Sequence, residues 1–340
     1  MGPSSRSPSS NRGWSRPMQA AHAVAAPSLL LFVFIGGNAT AQEARDWLDR
    51  MSRAVEELNY RGTFVHAHDD TFEMETLHIV HRNADGESGE RILSLDGAGR
   101  EFVRQGASVQ GIFPDRRVVL FETRSDISPL VSALPSNTAE LEPHYEMTLG
   151  GAARVADRPV QVLEIKPRDE FRYGYMLWLD KETAMPLQSA LIDEKGKVVE
   201  RILFTDIEIS TDIPAAALEP TIDTTGFTTL RAPEPESAPL AAQIPWRAAT
   251  VPGGFQLSVA THGPIAGSDT PVEHLVYSDG LATVSVFIED PATKAELRDG
   301  FSTVGSTNAY SVTRFGRKVT AMGEVPPQTV RTIASSLVAE

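Results

Sequence analysis

The chain has 340 residues, a formal net charge of −14 at pH 7 and no cysteine. Its acidity argues against nucleic acid as a partner and against electrostatic binding to anionic lipid head groups, because both select basic surfaces. The lack of cysteine excludes disulfides, thiol catalysis and thiolate metal sites, so stability must come from packed cores.

The first forty-one residues have the three-part layout of a secretory signal peptide. Arg12 and Arg16 come first, an apolar run is densest over 29–35, and a small-residue Ala-Thr-Ala triplet ends at Ala41. We therefore expect cleavage before Gln42 and export of the mature chain. The apolar run is too short to cross a bilayer core of about 30 Å. An uncleaved N-terminal anchor is the alternative.

A short amphipathic helix is predicted at 44–58, near the start of the mature chain. Its apolar residues recur at spacings of three and four, which places them on one helical face. Charged residues occupy much of the other face. The apolar face consists of Trp47, Leu48, Met51, Val55 and Leu58.

From residue 60 the hydrophobic pattern changes to a period of two, which predicts short strands as far as about residue 209. The run Asp193-Glu194-Lys195-Gly196 is typical of a hairpin turn. One helical interruption is predicted at 127–133. Because helices do not alternate with the strands, the pattern predicts an antiparallel meander that forms a barrel or half-open barrel. The predicted strands are 61–68, 72–82, 91–95, 118–123, 160–166, 171–179, 187–193 and 198–207.

A proline-rich segment at 231–243 is typical of an extended linker between domains. After it, shorter strand patterns and a closing helix at 327–338 predict a small α+β domain. The sequence thus predicts a signal peptide at 1–41, a strand-rich domain at 42–230, the linker, and a second domain at 244–340. The strands predicted in the second domain are 256–260, 273–277, 282–289, 309–314 and 318–322.

His66 and His68 form the most suggestive catalytic pattern, because two histidines two residues apart on a strand face the same side. A metal-dependent hydrolase would need further ligands at the ends of strands in a βα-repeating barrel, and that repeat is missing from the pattern. The sequence also has no Gly-x-Ser-x-Gly elbow and no His-Glu-x-x-His run. We interpret the pair as a solvated strand end before the Asp69-Asp70 turn. No enzyme activity, catalytic residue, metal or cofactor is predicted; a hydrolase is the alternative that a metal assay would test.

Apolar strand positions remain as a candidate binding surface. They fit either an ordinary core beneath the first helix or a cavity for an acyl chain or apolar peptide. We take them as candidates for lipid binding. They are Phe64, Leu77, Ile79, Leu163, Ile165, Tyr175 and Leu177.

Several short strings, spread over nearly all of the mature length, resemble the MucB/RseB family of periplasmic sigma-factor regulatory proteins. Their order and spacing together make the resemblance specific. The strings are YRGTFV at 60–65, GERILSLDG at 89–97, PRD at 167–169, FRYGY at 171–175, LWLD at 177–180, HLVYSDGLA at 274–282, SVFIE at 285–289 and GEVP at 323–326.

The resemblance implies a half-open β-barrel with plugging helices, similar to the LolA/LolB lipoprotein carriers, joined to a small α+β domain. It also implies a negative regulator of the envelope-stress sigma factor. Such a protein binds the periplasmic region of a transmembrane anti-sigma factor of the RseA/MucA type and shields it from the first stress protease. Lipopolysaccharide or the acyl chains of a mislocalised lipoprotein would release it. The alternative function is a periplasmic carrier of lipid or lipoprotein. Association of the protein into a homo-oligomer is left as an open alternative.

Candidate partner contacts come from the matched strings. Three arginines stand beside apolar strand positions and could pair with an acidic partner or a lipid phosphate; structural ion pairs are the alternative. In the second domain, groove insertion or strand addition near Tyr277 and 284–287 is the candidate mode. The partner-binding candidates are Arg61, Arg91, Arg172, Tyr277, Val284, Val286 and Phe287.

Overall fold

The computed structural model describes residues 36–68, 73–84, 86–123, 138–209, 212–231, 244–264, 271–290 and 299–339. Most of the predicted signal peptide and linker, the helix predicted at 127–133 and the Asp69-Asp70 turn lie outside these ranges. None of the helices within them is both long and apolar enough to cross a membrane.

A twelve-stranded sheet forms the larger part of the fold. Its order is β12-β6-β5-β4-β3-β2-β1-β11-β10-β9-β8-β7, with antiparallel neighbours except for the parallel pair β12 and β6. The strands are β1 (Tyr60–His68), β2 (Glu73–Ala84), β3 (Glu87–Ser94), β4 (Glu101–Gln105), β5 (Ser108–Phe113), β6 (Val118–Thr123), β7 (Tyr145–Val155), β8 (Arg158–Pro167), β9 (Gly174–Asp180), β10 (Pro186–Ile192), β11 (Val198–Ile209) and β12 (Thr228–Arg231).

The two outermost strands, β7 and β12, do not pair with each other in the part of the chain that the structure describes. The sheet is therefore unclosed, which confirms the predicted half-open architecture. The turn at 193–196 is also confirmed: Gly196 adopts a φ of 79°, and the Asp193 carboxylate accepts hydrogen bonds from two backbone amides of the loop.

Helix α1 (Gly36–Glu57) lies against one wing of this sheet. Ala44, Leu48 and Met51 of the helix are buried in a core with strands β7, β8 and β9. The helix starts earlier than the predicted residue 44 and runs through the predicted cleavage site. The sheet residues beneath it are Tyr145, Met147, Leu163, Ile165, Leu177 and Leu179.

A second sheet of six strands has the order β14-β15-β16-β19-β18-β17. It encloses a core of its own beneath α2 (Pro327–Ser335), and a small ladder of β13 and β20 lies beside it. The helix ends before the predicted residue 338, because the last residues pair as β20. The strands are β13 (Trp246–Ala248), β14 (Gln256–Pro264), β15 (Pro271–Ser278), β16 (Thr283–Glu289), β17 (Gly300–Val304), β18 (Thr307–Arg314), β19 (Arg317–Gly323) and β20 (Leu337–Ala339).

Two 3₁₀ helices, Thr138–Leu141 and Ala215–Leu218, complete the described elements. Several strands were not predicted, and β7 shows why. Gly150 and Gly151 interrupt the alternation of its side chains, and its register with β8 shifts between Leu149 and Ala152. A bulge of this kind hides a strand from a period-two search.

Candidate functional site

A cavity of about 410 Å³ opens on one face of strands β1 to β6. Its wall takes every second residue from most of these strands, as expected when successive side chains point to opposite faces of a sheet. Most of the lining surface is apolar. The apolar lining residues are Phe64, Leu77, Ile92, Phe102, Val109, Phe113 and Leu120.

Gly111 makes room for an aromatic pair in this wall. Phe102 and Phe113 meet edge to face with their ring centroids 5.7 Å apart. A Cβ atom at Gly111 would lie 2.9 Å from the Phe113 ring and 3.4 Å from the Phe102 ring. A larger residue at position 111 would therefore displace the rings that shape the cavity.

The cavity also has a buried polar side. Glu90 and Arg104 line it on neighbouring strands, and Tyr60 is fully buried nearby, stacked on His81 with ring centroids 4.8 Å apart. Among the described residues, Tyr60 Oη, Glu90 Oε2 and Arg104 Nε have no hydrogen-bond partner. The cavity therefore joins an apolar wall to polar atoms that a bound molecule could satisfy.

Burial shifts the acid–base behaviour of this polar side. It raises the pKa of the Glu90 carboxyl to about 7, although the Arg104 charge acts in the opposite direction. Burial also raises the pKa of the Tyr60 hydroxyl well above its usual range, and the negative charge of Glu90 raises it further. Burial lowers the pKa of His81, whose Nδ1 lies 2.8 Å from the Leu58 carbonyl oxygen.

The predicted lipid-binding residues divide between this cavity and the packed cores. Phe64 and Leu77 line the cavity, and Ile79 is fully buried in the core cluster that contains both. The other four lie beneath α1, in an ordinary packed core, which was the alternative to a lipid cavity. They are Leu163, Ile165, Tyr175 and Leu177. The cavity wall on β3 to β6 was missed, because alternation alone does not distinguish a cavity wall from a core.

A second polar arrangement joins the two sheets around Arg172, which is fully buried. Its guanidinium donates to Asp279 Oδ2 at 2.7 Å, to Asp169 Oδ1 at 3.1 Å and to the Gly253 carbonyl oxygen. The Tyr145 hydroxyl donates to the same Asp279 oxygen at 3.0 Å. Asp279 and Gly253 belong to the second half of the chain, so Arg172 connects the larger sheet to the smaller one.

Aromatic rings and further hydrogen bonds complete this junction. The Arg172 guanidinium lies 5.4 Å from the Tyr145 ring centroid and 5.1 Å from that of Phe255. The Asn308 side-chain amide donates to the Tyr173 hydroxyl at 3.0 Å, and the Thr329 hydroxyl donates to the Phe171 carbonyl oxygen at 2.6 Å.

The predicted partner-binding residues occupy very different environments. Arg61 is exposed and pairs with Glu208, whereas Arg91 lies 3.2 Å from the buried Glu101 and donates to the Ala217 carbonyl oxygen. Arg172 is the junction residue described above. Tyr277, Val284 and Val286 belong to the core of the second sheet, and Phe287 is half-buried and stacked on His274.

Two family models match the chain: the MucB/RseB N-terminal domain at residues 43–222 and the MucB/RseB C-terminal domain at residues 241–338. Sigma factor AlgU regulatory protein MucB of Pseudomonas aeruginosa is 36% identical over 304 residues, covering 87% of this chain and 91% of the relative. Sigma-E factor regulatory protein RseB of Salmonella typhimurium is 29% identical over 314 residues, covering 90% and 94%.

Solved structures agree over nearly the same length. The complex of Pseudomonas aeruginosa MucA and MucB contains a chain with 31% identity and a TM-score of 0.69, covering 88% of this chain and 99% of that chain. MucB in complex with MucA(peri) gives 32% identity and a TM-score of 0.66, covering 87% and 99%.

We predict that Arg172→Ala lowers the free energy of unfolding by about 3–5 kcal/mol, because it leaves the Asp279 carboxylate buried without its cation. Urea unfolding measures this loss. Arg61→Ala is the matched control and should change stability by about 0–1 kcal/mol, since Arg61 and Glu208 are both exposed. A loss below about 1 kcal/mol for Arg172→Ala would contradict the role of the junction.

We also predict a pH dependence that originates at Glu90. Its pKa is higher in the folded than in the unfolded chain, so its contribution to stability is complete below about pH 4.3 and is lost as the pH rises to 7. The neighbouring groups are His81 on β2, Arg104 on β4 and Tyr60 on β1.

The free energy of unfolding of the wild type should therefore fall between pH 5 and pH 8. In Glu90→Gln this fall should be smaller by about 2–3 kcal/mol. Urea unfolding at both pH values tests this expectation. Glu87→Gln, an exposed glutamate of the same strand, serves as the control. Equal pH dependence in the wild type and in Glu90→Gln would show that Glu90 is not the group responsible.

Proposed function

The chain belongs to the MucB/RseB family of sigma factor regulatory proteins, and from this premise we propose that it captures the periplasmic region of a transmembrane anti-sigma factor. Binding covers this region and shields it from the first envelope-stress protease. The sigma factor then stays sequestered until the complex is released. The protein acts in the periplasm after cleavage of its signal peptide behind Ala41, and it acts by binding rather than by catalysis.

The observation that carries this proposal is the match to MucB over almost the whole of both chains. MucB has been solved as a complex with MucA and with MucA(peri). The similarity includes both matched family regions and not only one sheet. A protein that keeps both parts of such a binder is well suited to the same kind of partner.

We propose the predicted domain division as the working organisation for this function: residues 42–230 and 244–340, joined by the linker at 231–243. The anti-sigma segment binds the smaller domain by strand addition at the edge strand β17. Within the described residues this strand ends the second sheet, and it exposes Phe301 and Val304. An exposed edge offers unpaired backbone groups, and apolar side chains beside it add contact area.

The larger domain accepts an acyl chain of lipopolysaccharide or of a mislocalised lipoprotein. The cavity of about 410 Å³ falls within the range of about 300–1,000 Å³ that is common for small-molecule sites. Phe64 and Leu77 contact the acyl chain, and the buried polar atoms of Glu90 and Arg104 face the polar end of the lipid. Release follows if the occupied and empty forms differ in their affinity for the anti-sigma factor.

A periplasmic carrier of lipid or lipoprotein is the second candidate. The same cavity favours it, because a carrier needs an apolar compartment and little else. The junction and the second sheet favour the regulator, since neither is needed to enclose a lipid. Partner binding distinguishes the two functions.

The test is calorimetry of the purified protein with the periplasmic region of a MucA- or RseA-type anti-sigma factor, with and without lipopolysaccharide. We expect binding that lipopolysaccharide weakens by about 5- to 150-fold, the usual range of coupling between sites. Leu120→Trp fills the cavity, so this variant should bind the partner but lose the response to lipopolysaccharide.

Leu95→Trp is the matched control, because Leu95 is exposed and does not line the cavity. It should respond to lipopolysaccharide like the wild type. Partner affinity that does not change at saturating lipopolysaccharide would contradict release by lipid. No partner binding in either condition would contradict the regulator and favour the carrier.

A further inference from the structure

Two histidines and two glutamates meet where strand β1 of the larger sheet approaches the second sheet. His66 and His68 lie two residues apart on β1, so their rings share one face of the strand, with centroids 4.6 Å apart. Glu200 lies opposite His68 on the neighbouring strand β11. The fourth residue, Glu324, directly follows β19 in the second half of the chain.

The spacing of the first three residues suits a metal ion. His66 Nε2 lies 3.0 Å from Glu200 Oε1, and His68 Nδ1 lies 4.0 Å from Glu200 Oε2. One potential ligand atom from each of the three lies within 4.8 Å of the other two. In a tetrahedral zinc site, bonds of 2.0–2.2 Å separate neighbouring ligand atoms by about 3.3 Å. Small side-chain movements would therefore bring the three atoms onto one ion.

His68 gives independent support, because its Nδ1 atom is buried and has no hydrogen-bond partner among the described residues. A buried imidazole nitrogen without a partner is unfavourable. The backbone turn at Gly305 also approaches this ring, since a Cβ atom there would lie 3.0 Å from His68 Nδ1. The hydrogen bond between His66 and Glu200 accounts for those two residues but leaves His68 unexplained.

The two carboxylates give the third observation. Ser306 lies within hydrogen-bond distance of both, with its hydroxyl 3.2 Å from Glu324 Oε1 and directly against Glu200 Oε2. A serine hydroxyl has only one proton to donate, so it cannot satisfy both at once. Neither carboxylate pairs with lysine or arginine in the part of the chain that the structure describes. A cation between them would remove this deficit.

A solvated ion has a route to this cluster. A cavity of about 550 Å³ is lined by His66 and His68 and continues past acidic side chains. Arg100 and Arg116 also line this cavity and offset part of the charge, but four carboxylates outnumber these two cations, and the remaining negative charge raises the local concentration of metal ions. The acidic lining residues are Glu73, Glu75, Asp96 and Asp115.

We propose that His66, His68 and Glu200 bind one divalent transition-metal ion of the zinc type, with Glu324 as its fourth ligand from the second half of the chain. Imidazole nitrogens favour zinc over magnesium or calcium, which prefer oxygen ligands. Four protein ligands make a closed site, which is typical of a structural rather than a catalytic ion. Because the ligands come from both halves of the chain, the bound ion fastens the two sheets together.

The test uses the purified, chelator-treated protein titrated with Zn²⁺ in a calorimeter and with Co²⁺ by visible absorption. We expect one ion per chain, the absorption typical of tetrahedral Co²⁺, and a rise in melting temperature with Zn²⁺. His68→Ala and Glu200→Gln should abolish stoichiometric binding. Glu324→Gln should weaken it by at least about 10- to 100-fold, because the loss of a carboxylate that only supports the ligands already has an effect of that size.

His262→Ala is the control, because His262 is exposed on β14 of the second sheet; it should bind like the wild type. Circular dichroism shows which variants remain folded, and His66→Ala provides a second ligand deletion if His68→Ala unfolds. An absence of one-to-one binding in the wild type would overturn the proposal, as would equal binding by His68→Ala. Because partner capture is measured separately, either result leaves the regulatory function standing.

Discussion

The buried guanidinium of Arg172 is the interaction on which the relation between the two sheets depends. A charge taken out of water is unfavourable unless its donors are satisfied and opposite charge lies close by. Asp279 supplies that charge from the second half of the chain, and the carbonyl oxygen of Gly253 accepts a further hydrogen bond from the guanidinium. The other carboxylate oxygen of Asp279 accepts hydrogen bonds from the backbone amides of Leu281 and Ala282. Each group is fixed by partners that cannot move independently, so the junction favours one arrangement of the sheets.

The two ends of the larger sheet have different surroundings. Its β7–β9 wing is packed against α1 and leads into the loop that carries Arg172. Its β1–β6 wing encloses the cavity. The central strands β1 and β11 join the wings and carry His66, His68 and Glu200 beside the second sheet. Packed strands therefore connect the cavity to the second sheet, and the proposed release by lipid would use this connection.

Much of the architecture was predictable, because strands on a half-buried sheet alternate apolar and polar residues. The mainly β fold, the turn at 193–196 and the family followed from such patterns and from the matched strings. The strand predicted at 171–179 begins only at Gly174, because Asp169 and Arg172 leave the sheet to form the junction. Alternation could not reveal that departure, since it does not show which charged residue will be buried.

The sites were less predictable than the fold, because they depend on contacts between distant residues. Arg172 stood out in the sequence as one of three arginines in matched strings. Nothing local connected it to Asp279, which is 107 residues away. The same applies to His68 and Ser306, which the fold brings to the same carboxylate oxygen of Glu200. Phe102 and Leu120 alternate like core residues, and only the open face of the sheet makes them a cavity wall.

The most direct test of this account is the distance between the two sheets, measured by pulsed electron resonance. The chain has no cysteine, so Leu95→Cys and Phe301→Cys, both at exposed positions, introduce two unique sites for spin labels. We expect one narrow distance distribution in the wild-type background and a broad one when Arg172→Ala is added. A narrow distribution that survives Arg172→Ala would contradict the claim that this buried ion pair fixes the arrangement of the sheets.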